Sequence, residues 1–195
     1  MADVTTSLEH MLQPERVRGL SGGNDVAFTE QAEAGNPAHG PSPWPFKAED
    51  TSPLTWWRRL PPDVFSHAER SLLVATLESI SVLDGGDDVA AAMRGDAAAA
   101  INAALVLMPI EQITLQVDIK LTALLRIALD GDAAAALVMA QVIGLADIGH
   151  QLTTELAASW LAYGERHSKE PRKFGEAQIT LLRAFEDRRN GSEEA

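Results

Sequence analysis

The sequence predicts an all-α protein of antiparallel helical hairpins with a disordered N-terminal arm, and three observations lead there. The residues Gly95-Asp96-Ala97-Ala98-Ala99-Ala100-Ile101 return as Gly131-Asp132-Ala133-Ala134-Ala135-Ala136-Leu137, 36 positions later, and self-similarity at that spacing marks stacked supersecondary units. From Ser66 onward, apolar residues recur every three or four positions, the period of one helix face. Before Pro53 the chain is rich in Gly, Pro, Ser, Thr and acidic residues, with too few bulky apolar groups to offset the entropy of ordering.

Residues 1–53 therefore read as the arm, in which Leu8 to Leu12 suits a short helix ended by Pro14, and Pro37, Pro41, Pro43, Pro45 and Pro53 favour extended chain. A helical domain follows over 54–189. Asp63 or Ser66 can cap its first helix, on which Ala68, Leu72, Ala75 and Ser79 share a face beside Leu73, Leu77 and Ile80, ending near Asp84-Gly85-Gly86. A short helix from about Asp87 to Met93 stops at Arg94-Gly95. Asp96 then caps Ala97 to Met108, with Ile101, Ala104, Leu105 and Met108 facing inward until Pro109 breaks the run. Val117, Leu121, Leu124, Leu125 and Ala128 make the next stripe, which closes at Asp130-Gly131, and Asp132 repeats the cap of Asp96. Ala133 to about Ala146 forms one further helix, and Leu152, Leu156, Ala157, Trp160 and Leu161 mark its partner. A last helix from Phe174 to about Arg189 turns Phe174, Ala177, Leu181, Leu182 and Phe185 inward, before a frayed tail at 190–195.

Composition narrows the function. The net charge is −12, and residues 63–166 alone carry five basic against fourteen acidic side chains. A body of that sign repels nucleic-acid phosphates and anionic lipid, leaving only residues 167–195, with six of each, to offer a basic patch. Without cysteine there are no disulfides, thiolate metal sites or thiol nucleophiles. The first residues lack a basic start with an apolar run, and no stretch of about 18 apolar residues exists to span a bilayer, so the expected setting is cytoplasmic. Aromatics are only 5% of the chain, so core contacts fall to small side chains, and stability is expected to lean on a partner or second copy.

Shifting Leu121, Leu124 and Leu125 by the same 36 positions lands on Ala157, Trp160 and Leu161, so the repeat extends from seven residues to helix pairs. Gly95-Asp96-Ala97, Gly131-Asp132-Ala133, and Ala157 with Trp160 in the closing helix resemble the Sel1-like branch of the tetratricopeptide-type solenoids over about residues 95–166. The turn tyrosine and glycines usual in that family are replaced by Met108-Pro109-Ile110-Glu111-Gln112 and Asp147-Ile148-Gly149-His150. No third unit keeps the signature, so an irregular helical bundle whose Gly-Asp-Ala steps are ordinary caps stands as the other architecture. The resemblance implies a scaffold that offers a helical surface to another protein, and no catalysis.

Chemistry-bearing residues are few. Trp56-Trp57-Arg58-Arg59, bounded by prolines, is the candidate partner-binding site, because tryptophan and arginine dominate interface hot spots. The competing reading folds both indoles onto the helices. Asp147 and His150 lie three apart and could share a cation or a proton, but no third ligand stands nearby. The aspartates beside glycine at Asp84, Asp87, Asp88, Asp96, Asp130 and Asp132 suit helix capping better than a cation loop. No catalytic, cofactor or metal constellation is legible. The leading expectation is a non-enzymatic protein–protein interaction domain that also associates with itself. The alternative is an acidic helical regulator reaching nucleic acid through Lys169, Arg172, Lys173, Arg183, Arg188 and Arg189 of the C-terminal helix.

Overall fold

Ser66 opens the first helix, α1 (His67–Ser79), with a reciprocal capping box. Its hydroxyl oxygen accepts the Ala68 N–H at 3.1 Å, and its own backbone N–H donates to Glu69 Oε2 at 2.9 Å. The structure, a computed structural model, describes residues 44–80 and 86–193. Among them every regular element is helical: α2 Gly86–Met93, α3 Ala97–Leu105, α4 Leu115–Leu129, α5 Ala133–Leu145, α6 Thr153–His167 and α7 Pro171–Glu193, with 3-10 turns at Ala48–Asp50, Pro53–Arg58 and Pro62–Val64. The all-α class is thus the one the chain adopts. The short helix expected at Leu8–Leu12, the extended prolines before Trp44 and the break at Asp84-Gly85 lie outside the described residues.

The repeated Gly-Asp-Ala step is one structure made twice. Gly95 and Gly131 have φ of +102° and +93°, the left-handed region that glycine enters without steric cost. At each, the glycine N–H and the following aspartate N–H return to the preceding helix, as Gly95 to Ala92 and Asp96 to Ala91, then as Gly131 to Ala128 and Asp132 to Ile127. That pattern satisfies two end carbonyls per helix. The aspartate then turns outward from the old helix and caps the new one, Asp96 Oδ1 accepting Ala99 N–H at 2.9 Å and Asp132 Oδ1 accepting Ala135 N–H at 2.8 Å. Equivalence continues into side-chain donors from elsewhere. Arg126 donates to the Met93 carbonyl at 2.9 Å; 36 positions on, the Leu129 carbonyl accepts from Arg70 and from the Tyr163 hydroxyl.

Burial follows the same register. Ala100 and Ala136, Ala104 and Ala140, Leu124 and Trp160, and Leu125 and Leu161 are buried pairs 36 apart. The helix α5 is apolar on nearly every side and packs against α3, α4, α6 and α7, so it lies at the centre. The helix α4 holds α1, α2, α3, α5 and the 53–58 turn, with the expected stripe of Val117, Leu121, Leu124, Leu125 and Ala128 buried. The helix α7 docks on α5 and α6 through two glycines: the Phe185 ring fills the space of an absent Cβ on Gly144, and the Phe174 ring lies 2.6 Å from where a Gly164 Cβ would stand.

Several inward assignments differ. In α1 the core face is Arg70, Leu73 and Leu77, with Leu72 51% exposed, because Arg70 reaches a backbone carbonyl and completes a stripe that apolar content alone leaves short. In α3 the buried residues are Ala100, Ala103 and Ala104 while Leu105 turns outward; a helix with Asn102 as its one polar side chain gives little period to choose a face. Leu182 is likewise exposed. The helix α7 continues to Glu193, into the expected tail.

Residues 44–53, assigned to the arm by composition, are folded. Trp44 and Phe46 pack against the core, the Trp44 indole donates to the Arg59 carbonyl at 2.6 Å, and the Trp56 indole donates to Ala48 and Thr51 carbonyls at 3.2 Å each. Indoles supply here both apolar area and a polar handle for backbone that no helix satisfies. Residues 44–65 thus form a strap across α1, α4 and the α5–α6 turn.

Candidate functional site

In the Trp56-Trp57-Arg58-Arg59 segment, expected as a partner-binding surface, both indoles fold onto the helices as a clasp while Arg58 and Arg59 are half-buried. Trp56 and Trp57 are 1% and 0% exposed, so neither indole is available to another molecule. Trp57 Nε1 donates to Asp118 Oδ1 at 2.8 Å, and Arg58 Nη2 pairs with Asp118 Oδ2 at 3.3 Å. Asp118 is a buried acid on α4, where a lone carboxylate is costly unless paired and hydrogen-bonded. Arg59 sits 6.0 Å above the Phe46 ring. The competing sequence reading, indoles folded back on the helices, is the one realised.

Of Asp147 and His150, the histidine belongs to the same clasp and the aspartate to its own turn. Asp147 Oδ1 accepts the Gly149 N–H, and Gly149 has a φ of +78°. His150 Nδ1 accepts the Leu152 N–H at 3.2 Å, which fixes Nε2 as the protonated nitrogen donating to the Arg58 carbonyl at 2.6 Å. The Phe46 ring packs on the imidazole at 5.2 Å. Both nitrogens are thus engaged, Nε2 holding the strap and Nδ1 the α5–α6 turn, and among the described residues no three His, Asp or Glu side chains gather to hold a metal ion.

Beside the start of α5 and the α6–α7 turn lies a hollow of about 440 Å³ lined partly by Asp132, His167 and Ser168, residue types that serve nucleophilic catalysis. Their hydrogen bonds are those of caps and turns. Asp132 caps α5, His167 Nδ1 bonds the Tyr163 carbonyl at 2.8 Å, and Ser168 Oγ accepts the Glu170 N–H. The basic residues of the next turn are matched by acids: Lys173 pairs with Glu170, and Arg172 with Glu176 at 3.4 Å. Ion pairing cancels much of the local field that phosphate binding requires.

One surface was missed by sequence reasoning. At the end of the α3–α4 hairpin, Val106 is 80% and Leu115 64% exposed, with Leu105 also outward. No charged side chain occurs from Ala97 to Ile110. The repeat offers an internal comparison: 36 positions on, Leu105 becomes Gln141 and Leu115 becomes Gln151. Gln151 is exposed and Gln141 half-buried, while Val142, the counterpart of Val106, is fully buried because α5 runs on to Leu145 where α3 has ended. The exchange of leucine for glutamine is visible in the sequence once the register is extended to these positions.

No family model matches this chain, and neither a curated protein nor a solved structure matches it. Among the described residues no helix is long and apolar enough to cross a membrane.

Proposed function

We propose that this chain is a non-enzymatic, cytoplasmic protein–protein interaction module whose two central hairpins, α3–α4 and α5–α6, are units of a Sel1-like stack. The paired left-handed glycines, the paired aspartate caps and the matched burial 36 residues apart support the repeat. A stack of this kind acts by presenting a surface. The carrying observation for the interaction role is the exposed aliphatic group of Leu105, Val106 and Leu115, whose first and last members are glutamines in the companion hairpin. Exposed apolar side chains that cluster are a mark of contact with another protein.

The test is chemical cross-linking in an extract of the source cell, comparing wild type with the double variant Val106→Asp and Leu115→Asp and with the control Gln151→Asp. We expect a protein retained by wild type and by the control to be lost from the double variant. Retention by all three would rule out the α3–α4 end as the contact.

A further inference from the structure

The outer face of α7 carries a charge pattern that matches a second copy of itself. At 3.6 residues per turn, Phe174, Leu181 and Phe185 share the side that meets α5 and α6. Arg172, Glu176, Ile179, Arg183 and Glu186 line the opposite side, all of them exposed, with Ile179 at 53%. From Ile179, seven residues back is Arg172 and seven forward is Glu186; three back is Glu176 and four forward is Arg183. Opposite signs stand at equal distances in the outer pair and within one residue of equal in the inner pair.

We propose that α7 pairs antiparallel with α7 of a second copy, about a two-fold axis at Ile179. In that register Arg172 and Glu176, which pair with each other at 3.4 Å in the single chain on exposed side chains, exchange that contact for the partner's Glu186 and the partner's Arg183, and the two Ile179 side chains meet on the axis with Leu182 flanking. A symmetric contact must be self-complementary, and parallel pairing would set Arg172 against Arg172. Long-range charge agrees. Residues 167–195 carry six basic and six acidic side chains, whereas residues 63–166 are strongly acidic, so two copies repel least where α7 lies. One helix face is smaller than the roughly 1,200 Å² of total area at which stable interfaces begin, so the dimer is weak and salt-sensitive. The proposal rests on the interaction-module reading but uses a different face from the α3–α4 end.

Sedimentation of the full chain between about 10 and 500 µM, at roughly 50 mM and 500 mM salt, tests it. Wild type should dimerise as concentration rises and do so less at high salt. Ile179→Asp should stay monomeric. Arg172→Glu and Glu186→Arg should each weaken association by roughly tenfold, yet dimerise when mixed, because the mixture restores opposite charges at both ends. A wild type monomeric throughout, or a dimer indifferent to Ile179→Asp, would overturn the pairing and leave the α3–α4 reading standing. All of these positions are exposed, so unchanged helicity by circular dichroism separates loss of pairing from loss of fold.

Discussion

Asp96 and Asp132 behave as their sequence context predicts because a helix cap is local chemistry: one carboxylate, one turn of backbone, and a glycine just before it. Arg70 shows the opposite case. Its partner is the Leu129 carbonyl, 59 residues away, and no local pattern announces that an arginine belongs on the core face. The capping box of α1 adds a pH response. The Ser66 hydroxyl, and secondarily backbone N–H groups, hydrogen-bond the Glu69 carboxylate and hold its pKa below the ordinary value of 4.5, against a small opposing effect of burial. A depressed carboxylate contributes stability that is complete above its unfolded value and lost as pH falls through the folded one. Glu69→Gln keeps the shape and removes the charge, so amide exchange in α1 should be faster than wild type at pH 7. That difference should narrow as pH falls below the ordinary carboxylate range and close once the folded-state Glu69 carboxyl is itself protonated, when both side chains are neutral. A difference independent of pH would assign the effect to shape alone.

At the scale of elements, the amphipathic helices were legible and the mostly apolar ones were not. The α4 stripe is bounded by Gln116, Lys120 and Arg126, whereas α3 has Asn102 as its one polar side chain and its inward face is set by which alanines approach α2, α4 and α5. The seating of α7 was equally hidden, since it depends on two glycines in other helices. Alanine ordinarily stabilises a helix relative to glycine by about 1 kcal/mol. At Gly144 the added methyl would collide with the Phe185 ring, so Gly144→Ala should instead destabilise by roughly 1–3 kcal/mol, as overpacking does. Gly175 has open space where its Cβ would stand, so Gly175→Ala should stabilise α7. Thermal unfolding checks the opposite signs, and exchange in α7 should rise for the first and fall for the second. The same sign for both would mean that Phe185 yields without cost and does not seat the helix.

For the whole molecule, the element least visible in the sequence is the strap, because composition placed its first ten residues in the arm and left its indoles between two readings, presented to a partner or folded onto the helices. Its fastenings are polar groups distant in sequence. Asp118 takes both Trp57 and Arg58, Thr122 Oγ1 donates to the Leu54 carbonyl at 3.1 Å, and His150 takes the Arg58 carbonyl. Burying two tryptophans and Leu60 contributes several kcal/mol at about 25 cal/mol per Å², but only if the indole N–H groups and the Asp118 charge are satisfied. Asp118→Ala leaves a buried Trp57 N–H unpaired and strands the Arg58 guanidinium, a loss of about 3–5 kcal/mol. Asp118→Asn retains a carbonyl for Trp57 while presenting a weaker partner to Arg58, so its loss should be smaller. Denaturant unfolding gives the size, and amide exchange gives the place: protection at 44–60 should fall before that of α5, which the strap does not support directly. Equal loss of protection in the strap and in α5 would instead make the clasp part of one cooperative core with the repeats.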